Sequence, residues 1–283
     1  MRLLINLLII SFLVVAGISY GTIWWGRGLL HDSGIPVQKS LFGNTIPQKV
    51  LLFFAHPDDE IAVGGTLNLL KEEGHELYMV YLTKGENGPT GDLVAQEQLG
   101  EARKKEMQKV AEFLGAKSLE ILDYPDSGLK HLPIELFERV AQEMVEKYQP
   151  DYVITYDSTV GLYGHPDHRM VSKGMENYYR TNIGKVDFPV KQLFQVTLSP
   201  KQIQVALQLA PGFQRNYPKE GNGLPMPDFS IRTTPYFGAL EEMMEMHATQ
   251  QEVFRDLLPY KDQVPRYVYS RIFDREYFYK VRV

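Results

Sequence analysis

The chain has 283 residues, with 30 Lys plus Arg against 35 Asp plus Glu, a formal net charge of −5 and no cysteine. The length sets an expectation of one large domain or two small ones, and the charge balance excludes a chain built to hold nucleic acid phosphate. The missing cysteines exclude a disulfide framework, a Cys-based zinc finger, an iron–sulfur site and a thiol nucleophile, so a metal would have to be held by His and carboxylates.

Residues 3–25 (LLINLLIISFLVVAGISYGTIWW) carry no charge. As a helix they would span about 34 Å, enough to cross a hydrocarbon layer roughly 30 Å thick. Trp24 and Trp25 end the run, where amphipathic rings favour the headgroup region. This predicts a single-pass membrane anchor over residues 1–27. The competing reading is a cleaved signal peptide, whose apolar region would be shorter and whose small-x-small site is poorly matched at Ala16–Ser19. Arg2 and Arg27 bracket the run, so charge counting leaves the side of the membrane open. The rest of the chain has no basic patch evident for anionic lipid.

Residues 28–47 contain Gly, Pro and Asn without periodicity and predict a tether, followed by one catalytic domain over residues 48–283. Val50–Ala55 (VLLFFA) is a short apolar run that ends in HPDDE; it predicts a doubly buried strand leading into a helix from Ile61 to Glu73. Leu77–Thr83 is the next strand. Residues 93–114 form a helix, with Met107, Val110, Ala111 and Leu114 on one face. Leu119–Tyr124 is a strand, and Leu136, Phe137, Val140, Ala141 and Met144 mark a helix. Tyr152–Tyr156 is a strand, followed by GLYGHPDH and a helix to about Arg180. The alternation predicts an α/β fold with a mostly parallel sheet and helices on both faces. Beyond Lys191 the expectation is a strand over 192–199, a long Pro- and Gly-rich loop over 211–235 and a helix from Tyr236 to Leu258. These last 90 or so residues would decorate the core.

Two motifs carry chemistry. His56-Pro57-Asp58-Asp59-Glu60 follows the first buried strand, and His165-Pro166-Asp167-His168 follows Tyr152–Tyr156. In open α/β sheets, sites form outside the carboxyl ends of strands. Either turn alone also reads as a solvated turn. Together, two acidic, imidazole-rich turns at neighbouring strand ends call for a cation between them. Three His and carboxylate ligands with an open position describe a catalytic Zn²⁺ site, and Fe²⁺ would suit the same donors.

AHPDDE followed by Gly64-Gly65, then LTKGENG, then GHPDH, resembles the PIG-L/LmbE-type zinc-dependent N-acetylglucosaminyl deacetylases over about residues 48–183. Supporting segments are Arg103-Lys104-Lys105-Glu106 and Tyr124-Pro125-Asp126. His247-Ala248-Thr249-Gln250 is similar to a family His-x-Ser-Gln segment, with Thr in place of the commoner Ser. The resemblance implies a Rossmann-like sheet and zinc ligands His56, Asp59 and His168. It implies Asp58 as the general base for the attacking water. His165 would stabilise the oxyanion or protonate the leaving amine, with Asp167 orienting it. Arg103 and Asp126 would contact the sugar or its substituents, and Tyr163 would polarise the amide carbonyl. Asp58 and Asp59 are adjacent and cannot face the same way in an extended turn, so one can bind metal while the other takes a proton.

The resemblance thus implies removal of acetyl from an N-acetylated amino sugar, which the anchor would suit if the sugar is lipid-linked. The alternatives are an amide hydrolase on a thiol precursor or an antibiotic-like glycoside, and a silent sugar-binding module of the same fold. Among the other polar residues, His31, His75 and His131 read as surface groups. Gly64-Gly65 reads as close helix packing, and Glu60 as a first-turn residue favoured by the helix dipole. His247, on a Met-rich helix, reads as structural.

Overall fold

The uninterrupted apolar runs become strands buried on both faces. The structure, a computed structural model, describes residues 2–43 and 46–282. In chain order it contains α1 (Arg2–Leu30), β1 (Val37–Gln38), β2 (Lys49–Phe54), α2 (Gly64–Glu72), β3 (Glu76–Thr83), α3 (Leu99–Leu114), β4 (Ser118–Tyr124), α4 (Ile134–Tyr148), β5 (Tyr152–Tyr156), α5 (Pro166–Asn182) and β6 (Gln192–Thr197). There follow α6 (Pro200–Leu209), α7 (Pro211–Asn216), β7 (Phe229–Arg232), α8 (Phe237–Met246), α9 (Gln251–Leu257), α10 (Arg266–Ile272) and β8 (Arg275–Lys280).

All eight strands form one sheet in the order β1-β7-β8-β6-β5-β2-β3-β4. The pairs β5–β6, β2–β5, β2–β3 and β3–β4 are parallel, as the alternation predicts. Side chains alternate across β2 because successive Cβ atoms point to opposite faces. Val50, Leu52 and Phe54 pack on one side with Leu67, Met107 and Met243. Leu51 and Phe53 pack on the other with Phe137, Val171 and Met175. The chain winds from β2 towards β4 in one direction and from β5 towards β6 in the other. The switch point therefore lies between β2 and β5, where the two His/Asp turns leave the sheet.

Four expectations about the organisation of the chain are corrected. Residues 28–47 are not a free tether. Leu30, Ile35 and Leu41 are buried, β1 pairs with β7, and the Phe42 ring stacks on Tyr152 at 4.1 Å. The last 90 residues do not merely decorate the core. β8 runs antiparallel to β6 and carries β7, so the C-terminal part completes the sheet. The segment 211–235 is not one loop, since α7 and β7 lie within it. The helix expected over 236–258 is also broken at His247, between α8 and a short 3₁₀ turn over Ala248–Gln250.

α1 is long and apolar enough to cross a membrane, and a signal sequence meets the same requirement. Leu3 to Trp25 is largely exposed apolar surface, but the C-terminal end of the helix is built into the domain. Arg27 reaches the buried Asp274 carboxylate at 2.6 Å and donates through Nε to the Arg271 carbonyl. His31 Nε2 lies 3.1 Å from the same carboxylate, so His31 is not simply a surface residue. Nor is His75, which is buried and accepts the Gln48 N–H at Nδ1. Ser199 and Lys201 donate to the carbonyls of Leu30 and Gly28.

The contact between α4 and α5 depends on Gly174, because a Cβ there would lie 2.2 Å from Phe137 Cβ and 2.7 Å from its backbone carbon. In an open helix, Gly→Ala gains about 1 kcal/mol. Here Gly174→Ala should instead destabilise by about 2 kcal/mol through overpacking. Urea unfolding measures the difference, and equal or greater stability would refute the close contact.

Candidate active site

The β2 turn holds its own acidic ligand in place. Asp59 Oδ2 accepts the backbone N–H groups of Ala55 (3.1 Å) and His56 (2.9 Å). Its Oδ1 lies 3.0 Å from His168 Nε2. His168 sits in the first turn of α5, with Nδ1 3.2 Å from the Gly161 carbonyl. The carbonyl accepts a hydrogen bond from the Nδ1–H, which leaves Nε2 directed at the β2 turn. His56 Nδ1 is 3.2 Å from His168 Nε2 and 3.7 Å from Asp59 Oδ2. The three expected ligands therefore converge.

Behind His56, Nε2 lies 3.1 Å from Asp126 Oδ1 and 3.5 Å from Asp167 Oδ2. Burial opposes the charged imidazole, but these carboxylates and Asp59 outweigh it and raise the His56 pKa well above 6.5. Burial would likewise raise Asp59, yet His168 and His56 hold it far below the usual carboxylate range. Two imidazole nitrogens and a carboxylate face one another, each ring backed by an oxygen acceptor. That is the donor set and outer shell of a divalent cation site. Both Asp167 oxygens are buried without a hydrogen-bond partner among the described residues, which also fits a missing positive charge.

Asp58 is aimed differently. Its φ of 107° is unusual for a residue with a side chain and turns it away from Asp59. Its N–H donates to Glu60 Oε2 at 3.1 Å, and its Oδ1 lies 2.9 Å from Arg103 Nη2. Burial pushes the Asp58 pKa up to about 6; Arg103 pulls it down and Asp59 pushes it up. Arg103 is itself buried and also donates to the carbonyls of Gly85 and Pro57.

The β5 turn presents His165. The ring accepts the Asp167 N–H at Nδ1 (3.2 Å), so the proton of the neutral ring sits on Nε2. Burial, then the neighbouring His168 and His56, hold its pKa down to about 2. The expected orienting role of the Asp167 carboxylate is corrected here. Its backbone orients His165, while its side chain faces His56. Tyr163 packs edge-on to His168 with ring centroids 5.4 Å apart. The turn is held by Asp157, whose buried carboxylate accepts the N–H groups of Thr159, Val160 and Leu162. Arg103 and Asp126 line the cleft, but the bonds they make here are internal: Arg103 to Asp58, and Asp126 to His56 and the Asn87 N–H (2.8 Å).

Sequence reasoning underrated Glu60 and His247. Both are fully buried, and His247 Nε2 lies 2.7 Å from Glu60 Oε1. Glu60 Oε2 also accepts the Tyr81 hydroxyl (2.8 Å) and the Asp58 N–H. This pair fixes the backbone of Asp58 from below and accounts for the break after α8. Thr249 does what a serine could: its hydroxyl donates to Glu106 at 2.8 Å. The cleft opens into a cavity of about 370 Å³. Its farther wall is apolar and includes Leu30, Val205, Ala206, Phe213, Phe254 and Leu257.

Residues 51–179 match the family model described as PIG-L: GlcNAc-PI de-N-acetylase. A diacetylchitobiose deacetylase from Thermococcus kodakarensis is 35% identical over 43% of this chain and 45% of its own length. The chain spans about half the length of the curated relatives it matches. The N,N'-diacetylchitobiose deacetylase structure from Pyrococcus horikoshii shares the fold, with a TM-score of 0.57 and 22% identity over 83% of this chain and 84% of that one. So does GalB, a 4-carboxy-2-hydroxymuconate hydratase, with a TM-score of 0.56 and 19% identity over 83% and 97%. The fold alone therefore does not fix the reaction, and the site must be argued from its residues.

Burial lowers the pKa of His247, but Glu60 more than compensates and raises it above 6.5. A raised histidine pKa adds stability that is full below the unfolded value and lost as pH rises through the folded one. The wild-type protein should therefore lose more stability above pH 6.5 than His247→Gln. Thermal unfolding over a pH series measures this, and parallel curves for the two proteins would contradict the ion pair.

Proposed function

We propose that the domain is a metal-dependent deacetylase that removes acetyl from an N-acetylated amino sugar, with N-acetylglucosamine as the sugar. The observation that carries the reading is the meeting of His56, Asp59 and His168, with Asp58 turned to Arg103 outside that set; His165 also stands within ligand reach of His56 and His168, and its neutral ring is assigned here to the amide oxygen rather than to the metal. His56, Asp59 and His168 would hold the cation, Zn²⁺ or Fe²⁺. A bound cation of this kind polarises a carbonyl and lowers the pKa of water towards 7.

The chain's own groups supply the rest. Asp58, with a pKa of about 6, takes a proton from the attacking water and can return it to the leaving nitrogen. Arg103 keeps the Asp58 carboxylate oriented. His165 is neutral and carries its proton on Nε2, which suits a hydrogen bond to the oxygen of the amide as charge develops there. This favours oxyanion stabilisation over proton donation among the two roles expected for it. Tyr163 flanks the same position. Asp126 and Asp167 hold His56, and the cleft residues between Asn87 and Ser127 face the space a sugar would fill. The apolar wall of the cavity, together with α1, supports a substrate whose sugar is linked to a lipid and an enzyme tethered at a membrane.

Asp58→Asn should retain the metal and lose about 10²–10⁴-fold in kcat/KM. His168→Ala should lose the metal. Metal analysis of the purified variants and acetate release from N-acetylglucosaminides read the two effects separately. Metal loss in Asp58→Asn with metal retained in His168→Ala would reverse the ligand assignment. Bound metal in the wild type without acetate release from any substrate would favour a binding module.

A further inference from the structure

One side chain spans the gap between the two turns that meet at the site. Tyr156, the last residue of β5, is buried and stands in register with Val196 of β6. Its hydroxyl donates to the backbone carbonyl of Asp59 at 2.7 Å, across 97 residues of sequence. Its ring lies against that of His168, with centroids 4.5 Å apart and planes 22° from parallel. The same ring meets Phe54, the last residue of β2, at 5.0 Å and 58°. Tyr156 thus touches two of the three residues assigned to the cation, one in each turn. It lies outside both His/Asp motifs, so the sequence marks it only as the end of a strand.

Core packing accounts for the ring but not for the hydroxyl. A phenylalanine would fill the same space, whereas the phenol O–H adds a bond to the carbonyl of a ligand residue. His168, for its part, needs more than one restraint. The bond from its Nδ1 to the Gly161 carbonyl fixes the tautomer, but a ring held at one atom can still tilt about that bond. Tyr156 against one face and Tyr163 edge-on, at 5.4 Å and 86°, oppose the tilt. Offset stacks of this kind are favourable in themselves. The face of a phenol ring is also negative, so it favours an imidazole that shares the charge of a bound cation over one that does not. Groups behind metal ligands orient them and tune their affinity.

We propose that Tyr156 is a positioning residue for the cation site. Its hydroxyl holds the Asp59 backbone and its ring sets the plane of His168, so that ligands from both turns stand in place before a cation arrives. The proposal rests on the metal-dependent reading of the site and adds to it how two separate turns are kept at ligand distance.

The test uses the full chain in detergent, stripped of metal and titrated with Co²⁺ against a competing chelator. Tyr156→Phe keeps the ring and removes the hydroxyl; Tyr156→Leu removes both. Tyr156→Phe should bind Co²⁺ about 10-fold more weakly, with the visible absorption band of the bound ion unchanged. Tyr156→Leu should bind more weakly still, and at saturation its band should shift, because the band follows the geometry of the ligands. General loosening of the fold would not give this division, since it reduces how much Co²⁺ is held without moving the band of what is bound. Wild-type affinity in Tyr156→Phe, or a wild-type band in Tyr156→Leu, would overturn the positioning role. Should Tyr156→Leu fail to fold, Tyr156→Met, which restores bulk without a ring, takes its place. Failure of the wild type to bind Co²⁺ at all would remove the metal reading and the positioning role with it. Wild-type binding with unaffected variants would remove the role of Tyr156 alone.

Discussion

The Asp59 carboxylate binds two distant parts of the chain into one site. One oxygen is fixed by the backbone of its own turn, the other by an imidazole from the turn after β5. The sheet makes the meeting possible because β2 and β5 are neighbours that the chain leaves in opposite directions. A cation between them would convert mutual repulsion among the carboxylates into cohesion.

Around this centre the protein arranges two layers of support. The inner layer comprises Asp126, Asp167 and the Gly161 carbonyl, which fix the rings of His56 and His168. The outer one is the buried couple of Glu60 and His247, which reaches Asp58 through its backbone. The division explains why two adjacent aspartates differ so much. Asp59 sits between two imidazoles and stays ionised, while Asp58, twisted into a left-handed conformation, has chiefly Arg103 to offset its burial beside the Asp59 charge and gives up its own charge more readily.

Much of this was legible in the residues. Continuous apolar runs identified the parallel strands because a strand covered on both faces needs no polar alternation. The histidine and aspartate turns were visible as local strings, and their shared position after strands announced that they would meet. What stayed hidden was non-local. β8 is three consecutive aromatics flanked by charged residues near the end of the chain, so nothing in its own pattern says it pairs with β6. β1 is two residues long. Glu60 and His247 become partners only once α8 is laid across α2. Arg103 and Asp126 were matched to sugar contacts, but their bonds in the fold are internal, a distinction that spacing cannot make.

The linkage of Arg27 and His31 to Asp274 has a practical meaning for anyone handling this polypeptide. The boundary between the apolar helix and the enzyme-like body is not a hinge, because the last turn of the one is mortared into the other. A shortened version that starts beyond residue 31 would strip Arg27 and His31 from a buried acid and remove a plank from the wall of the cavity, whereas one that starts just ahead of Gly26 would keep the joint whole. Where the helix is held in a bilayer, the same joint would set the tilt of the whole body and so determine how far its opening stands from the surface.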